Sequence, residues 1–400
     1  MRNNTFIFLS IIKYCCDKNV SALIDNKSEL TDMKLCYIAD AESIHTQRWV
    51  NYFAHRGHEV HLISFKLWEG YPKSVRFHKL TLLTRLWTVS RYINWLLWFI
   101  QIRRFVHRIK PDVIDAHYIT AYGYLAIASG FHPVIINVWG SDILISPKQK
   151  RLYRFLTKYA LKKTDVVICD SALMQSELLQ LGANPSKIRI IYNGIDTQKF
   201  GPHCGQRFKD GPGIPEGAMV ISTRNLRPVY NVEMLIRAVP LVLEREPQTR
   251  FMIIGEGEQR KALENLAVSL GISANVSFIG WIHHNMLSDY LASSDVYVST
   301  SVSDSTSLSL QEAMACEVAP VVTDLPANRE WITEGENGFL VPVGDVPVLA
   351  DRIVYLLRNK KLRERIGQAN RKIIMVRAEY EEEMSRVEKI YQEQGEGKKR

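Results

Sequence analysis

The sequence predicts an α/β protein made of two doubly wound parallel-sheet domains. Three observations carry that reading. Short apolar runs alternate with helical stretches, a loop rich in Gly, Pro and charge at 201–217 interrupts the rhythm once, and 400 residues suit two compact units better than one. With 46% apolar, 10% aromatic and 23% charged residues, the composition excludes a mainly disordered, collagen-like or coiled-coil chain.

Residues 1–33 stand apart. The apolar run Phe6 to Ile12 follows Arg2, but Lys13 ends it and no small-residue cleavage site follows. This stretch reads as a disordered extension or a mis-called start rather than a signal peptide. Regular patterning begins at Lys34: a strand to Ala39, a helix from Thr46 to Arg56 with Trp49, Val50 and Phe53 inward, closure at Gly57, and a strand from Glu59 to Ser64. Strands near Asp112–Asp115, Val134–Val138, Asp165–Cys169 and Lys187–Ile191 complete a first domain, 34–210.

The alternation restarts with strands at Ala218–Ser222, Arg250–Ile254, Asn275–Phe278, Asp295–Ser299, Ala319–Val322 and Gly338–Val341, giving a second domain, 211–375. Residues 376–400 read as a helix over Arg377–Glu396 followed by the basic tail Lys398-Lys399-Arg400. Ligands of such sheets bind beyond the carboxyl ends of the strands, so two facing domains enclose a cleft.

Six cysteines (Cys15, Cys16, Cys36, Cys169, Cys204, Cys316) form no C-x-x-C pair and no zinc-like cluster, which fits a reducing cytoplasm. No stretch reaches the roughly 18–20 apolar residues of a spanning helix. The net charge of +9 equals the nine cations between Gly70 and Lys110, a window without acids that also holds Trp87, Trp95 and Trp98. The helix expected over Thr88–Lys110 is either a buried helix or an interfacial one facing anionic lipid. Lys148 to Lys163 adds seven cations and no acid. Neither half carries a nucleic-acid-binding module, so nucleic acid is not expected as a partner.

The first strand is followed by Asp40-Ala41-Glu42-Ser43-Ile44-His45, which excludes a dinucleotide fingerprint, and no P-loop is present. Gly255-Glu256-Gly257 has tight-turn chemistry only. In Ser303-Asp304-Ser305-Thr306-Ser307-Leu308-Ser309-Leu310-Gln311-Glu312, a strand-end carboxylate precedes a helical one by eight residues. The small residues between them either cap a helix or present N–H groups to phosphate, with Glu312 taking a ribose diol and Asp304 sugar hydroxyls.

This segment resembles the E-x7-E motif of the retaining glycosyltransferases of family 4, with Asp304 in place of the first Glu, and Glu312-Ala313-Met314-Ala315-Cys316 resembles one of that family's most specific strings. Arg56-Gly57-His58-Glu59-Val60, Asn193-Gly194-Ile195-Asp196, Val276-Ser277-Phe278-Ile279-Gly280, Ala292-Ser293-Ser294-Asp295-Val296 and Asn337-Gly338-Phe339-Leu340-Val341-Pro342 extend the likeness in family order. The resemblance implies the GT-B architecture, with acceptor on the first domain and nucleotide sugar on the second. It implies a variant branch of polysaccharide-type enzymes on the cytoplasmic leaflet, extending a glycan or lipid-linked acceptor. No cofactor and no metal are implied; a nucleotide-diphosphate sugar is the co-substrate, UDP favoured over GDP.

By the same resemblance, Phe278, Ile279, Gly280 and Trp281 hold the base, Asp304 to Leu308 and Glu312 hold sugar, phosphate and ribose, and the last helix braces the first domain. The family's Arg followed by Pro-x-Lys-Gly reads Arg224-Asn225-Leu226-Arg227-Pro228-Val229-Tyr230-Asn231 here, so Arg224 and then Arg227 are assigned to the diphosphate. On the acceptor side, His45, His117, Trp139, Gly140 and Asp142 line the cleft. Asp142 is an active-site carboxylate or a helix cap, His117 a ligand contact or a structural residue, and His283 and His284 are surface residues. A related domain pair that binds a nucleotide sugar without transferring it is the other reading.

Overall fold

The computed structural model describes residues 32–81, 90–203 and 217–399. The extension before residue 32, Arg85 and Trp87, most of the interdomain loop with Cys204, and Arg400 lie outside the described residues, as do the side chains of 90–93 and 398–399.

The first sheet comprises β1 (Lys34–Ile38), β2 (Glu59–Ser64), β3 (Arg76–Lys79), β4 (Val113–His117), β5 (Val134–Asn137), β6 (Val166–Cys169) and β7 (Ile188–Ile190). Their spatial order is β3-β2-β1-β4-β5-β6-β7, all parallel. The main helices of this half are α1 (Ile44–His55), α2 (Ser90–Ile109), α3 (Tyr124–Ala128), α4 (Arg151–Lys163) and α5 (Ala172–Gln180).

In the second half, β8 (Met219–Ser222), β9 (Arg250–Ile254), β10 (Val276–Gly280), β11 (Val296–Ser299), β12 (Ala319–Thr323) and β13 (Phe339–Val341) form a parallel sheet ordered β10-β9-β8-β11-β12-β13. Its helices are α6 (Val232–Leu243), α7 (Arg260–Ser269), α8 (His284–Ala292), α9 (Leu308–Ala315) and α10 (Val346–Arg358), and α11 (Lys360–Arg377) and α12 (Tyr380–Lys399) end the chain.

Central strands are buried along almost their whole length, as a sheet covered on both faces requires. Helix α1 shows how the sequence pattern becomes packing: Trp49, Val50, Tyr52 and Phe53 all face inward. Each such side chain contributes at most about 1.5–3 kcal/mol of burial. Strand β3 has no apolar run to announce it. It is an edge strand, Arg-Phe-His-Lys, pairing only with β2 among the described strands, and its charges suit an edge that must not recruit another strand.

Both sheets reverse direction at one place, between β1 and β4 and between β8 and β11. Crossovers leave to opposite sides there and open a crevice at the strand ends. The chain passes between the halves twice, side by side: Ile195 N–H donates to Ala378 C=O at 2.7 Å and Tyr380 N–H to Ile195 C=O at 3.1 Å. Helix α12 then lies on the first domain, where Met384, Val387, Ile390 and Tyr391 join Tyr37, Trp49 and Phe53 in one apolar cluster.

Helix α2 is neither fully buried nor fully exposed. Ile102, Val106 and Ile109 enter the core, whereas Leu96 is 60% exposed and Trp95 and Ile100 are also open. Among the described residues no helix is long and apolar enough to cross a membrane.

Candidate functional site

The loops after β8, β9 and β10 converge with the N-terminal turns of α9 on a cavity of about 360 Å³, and Ile44 at the start of α1 closes it from the first domain. The loops after β8 and β9 can touch because Gly255 has φ of +141° and no side chain; a Cβ there would lie 2.6 Å from the Arg224 carbonyl oxygen. That contact gives Gly255-Glu256-Gly257 its role.

Arg224 lines the cavity with its guanidinium almost wholly buried. One nitrogen donates to Ser307 Oγ at 2.7 Å and Ser309 Oγ at 2.9 Å, the other to Asp304 Oδ2 at 2.6 Å. The plane sits 4.2 Å from the Tyr230 ring centroid, and Nε has no protein partner. Burial opposes its charge, but Asp304, Tyr297 and Tyr230 hold its pKa above the ordinary value. Ser307 caps α9, accepting from Leu310 N–H at 3.3 Å. Arg224, Asp304 and the α9 N-terminus are thus one cluster, with Leu308 and Glu312 on the same cavity.

Other expected donor residues lie elsewhere. Arg227 is exposed at a turn and does not line the cavity. Phe278 packs against the second core and Ile279 is partly exposed. Of the four residues 278–281, Trp281 lines the cavity, 72% exposed at its mouth, followed by Ile282.

The expectation that His284 is a surface residue is corrected. His284 starts α8 and its Nε2 lies 2.7 Å from Glu312 Oε1, because α8 packs beside α9. Lys199 Nζ reaches the other ring nitrogen at 3.2 Å. His283 does remain exposed. A neighbouring cavity of about 170 Å³ is lined by Arg48, Lys199, His284, Glu312 and Tyr380. No sequence spacing announces this pairing, since 28 residues separate His284 from Glu312.

On the opposite side, His45 stacks on Trp139 with centroids 4.3 Å apart. Burial, with Arg48 nearby, lowers its pKa to about 4, and burial beside His45 lowers that of His117 to about 3. His117 is enclosed by Tyr37, Trp49 and Trp139, with Thr46 Oγ1 at 3.4 Å from Nδ1. Asp142 accepts from the backbone N–H groups of Ile119, Trp139 and Gly140 at 3.0–3.1 Å, so its carboxylate organises that loop. Burial still pushes it up to about 6.

The halves meet at Asp170, which the sequence motifs do not mark. Its carboxylate accepts from Ser305 Oγ at 3.1 Å and its carbonyl from Thr306 Oγ1 at 3.0 Å. Ser305 Oγ also lies 3.4 Å from the Trp139 carbonyl. Gly140, at φ +122°, faces the same serine, and a Cβ would come within 3.1 Å of its Oγ. The usable signal was position, because Asp170 directly follows β6 at a strand's carboxyl end.

Residues 206–373 match the family model described as Glycosyl transferases group 1, and residues 34–171 match Glycosyl transferase 4-like. The chain is 28% identical to N-acetyl-alpha-D-glucosaminyl L-malate synthase of Bacillus anthracis, over 84% of this chain and 90% of that one. It is 24% identical to UDP-Gal:alpha-D-GlcNAc-diphosphoundecaprenol alpha-1,3-galactosyltransferase of Escherichia coli, over 69% of this chain and 74% of that one. The solved structure of Anabaena HepE in complex with UDP has the same fold, at TM-score 0.75 and 18% identity over 90% of this chain and 100% of that one. With two GT-B domains meeting at a strand-end cleft and family models matching both, the chain belongs to the glycosyltransferases of family 4, enzymes that transfer a sugar from a nucleotide sugar.

Proposed function

We propose that this enzyme is a retaining, metal-independent transferase that moves a sugar from a UDP-sugar to a glycan or lipid-linked acceptor in surface polysaccharide synthesis. The observation that carries it is the convergence of Arg224, Glu312 and the α9 N-terminus on one cavity, with Asp304 held beside them by its hydrogen bond from Arg224. The second domain, 211–375, takes the donor: Glu312 the ribose diol, Asp304 the sugar hydroxyls, Trp281 and Ile282 the base. The first, 34–210, takes the acceptor near His45, Trp139 and Gly140, and residues 376–400 brace it. UDP is favoured as the nucleotide because the GT-B relative HepE holds UDP and the E. coli relative is named for UDP-Gal.

In the reaction, the bond from the sugar's anomeric carbon to the diphosphate oxygen breaks, and the acceptor oxygen bonds the same carbon from the same face. The acceptor's hydroxyl proton passes to the departing phosphate oxygen. Arg224 and the N–H groups opening α9 stabilise the charge gathering on the leaving group. Arg224 is paired with Asp304, and donor binding exchanges that pair for phosphate on the cation and hydroxyls on the carboxylate. The test is turnover over a panel of UDP- and GDP-sugars, with NMR assignment of the product's anomer. An inverted anomer, or tight donor binding with neither transfer nor hydrolysis, overturns the reading.

A lipid-linked acceptor requires approach to a bilayer, and one face of the first domain suits it. Helices α2 and α4 pack on either side of α3 and contain no acid. Along α4, Leu152 is 64% and Phe155 67% exposed, in line with Tyr159 and beside Arg151, Arg154 and Lys158. Cations flanking exposed apolar side chains fit an anionic interface.

A further inference from the structure

In the function proposed above Glu312 carries the donor's ribose, and the role inferred for its neighbours rests on that reading. Glu312 is 4% exposed. A carboxylate so buried needs partners to stay charged, and a mobile one binds a diol poorly. Its Oε1 is 2.7 Å from His284 Nε2. The other ring nitrogen, Nδ1, is 3.2 Å from Lys199 Nζ, which also donates to Asn285 Oδ1 at 2.7 Å.

These contacts fix the proton. An ammonium only donates, so Nδ1 is the accepting nitrogen and Nε2 carries the hydrogen that Glu312 receives. A neutral imidazole in one tautomer satisfies both ends. Phe200 flanks the ring, with centroids 5.2 Å apart, and His284 and Glu312 both line the donor cavity and its smaller neighbour. The pair is therefore part of the wall between the two. Each carboxylate oxygen has two lone pairs, so Oε1 can hold His284 and still accept a hydroxyl.

We propose that His284 and Lys199 are positioning residues for the donor: Lys199 sets the imidazole tautomer, and His284 holds Glu312 in the orientation that receives the nucleotide's ribose. Lys199 lies on the segment that follows β7, just beyond the Ile195 crossing, and His284 on α8 of the second half, so the donor's ribose contact is tied to the segment joining the halves.

Calorimetric titration of the full chain with UDP, and with GDP in parallel, tests this without the sugar or acceptor being known. His284→Phe removes both ring contacts and is expected to weaken nucleotide binding about tenfold or more, the scale of a lost hydrogen bond to a charged group. His284→Gln can donate to Glu312 and accept from Lys199, and should stay within about threefold of the unmodified protein. Lys199→Met should weaken binding when His284 or Gln is present and have no further effect beside Phe.

Equal losses in the Phe and Gln variants, unmodified affinity in His284→Phe, or a Lys199→Met effect indifferent to residue 284 each overturn the proposal. If His284→Phe does not fold, the Gln variant with and without Lys199→Met decides. Glu312→Ala separates the two readings. Weakened binding there with none in His284→Phe removes only the positioning role; unmodified binding in Glu312→Ala, or no nucleotide binding by the unmodified protein, removes both.

Discussion

Replacing Asp170 by Asn isolates the electrostatic part of the contact between the domains. Burial pushes the Asp170 carboxyl from its ordinary 3.8 up to about 7, with Asp304 adding to the rise and the Ser305 hydroxyl opposing it. Between those values the folded protein keeps a proton that the unfolded chain releases, so stability falls as pH rises from about 4 to about 7 and is level above. The full displacement corresponds to about 4 kcal/mol, an upper limit because the site relaxes around the charge. At pH 4.5 the same relation leaves only about 1 kcal/mol.

Asn has the same shape, carries no charge and keeps an oxygen that can accept from Ser305. Asp170→Asn should therefore raise the apparent melting temperature at pH 8 by several degrees, at about 2–4 °C per kcal/mol for domains of this size, and much less at pH 4.5. Asp115, pushed up to about 7 by burial, imposes the same trend, whereas His45 and His117, held neutral, lose stability as pH falls below about 6.5. Those groups are common to both proteins, so the difference between melting curves reports Asp170. A lower melting temperature for Asp170→Asn at pH 8, or a difference that ignores pH, refutes the reasoning.

Arg224→Ala should cut turnover by about 10²–10³, the cost of one charge-stabilising donor, while the exposed Arg227 changed to Ala should cost less than about threefold; steady-state rates at saturating donor distinguish them. His45→Phe should leave any inflection between pH 5 and 8 in the rate profile unmoved, because His45 titrates near pH 4. Changing Leu152 and Phe155 together to Ser should lower the partition coefficient onto phosphatidylglycerol vesicles by about a hundredfold or more, given about 1.5–3 kcal/mol per apolar side chain inserted. Equal recovery of both proteins with the anionic vesicles removes the membrane face.

The fold was legible because parallel central strands are continuous apolar runs, and those survive in sequence: β9 spans Arg250–Ile254 as read, and most other strands start or stop within a residue or two. Strand β3 was not, since an exposed edge carries no apolar signature. The proposed donor side was legible in part because Asp304 and Glu312 lie on one short loop-and-helix segment, Asp304 just before the Ser307 cap and Glu312 within α9, so their separation in sequence is short in space. Arg224 was reached through its motif, but its pairing with Asp304 joins residues 80 apart and has no sequence mark.

The first domain's contribution was hidden for another reason. Its cleft residues are assembled from the ends of different strands, His117 at the end of β4, Trp139 and Asp142 after β5, Asp170 after β6. No short string contains them, and each alone reads as a cap or a core residue. Geometry sorts them: Asp142 spends its carboxylate on three backbone N–H groups, whereas Asp170 and Gly140 meet Ser305 directly. The loop that carries Asp304 is thereby held from both domains at once. Under the proposed function, in which Asp304 takes the donor's sugar hydroxyls, the Ser305–Asp170 hydrogen bond links donor binding to the placing of the first domain.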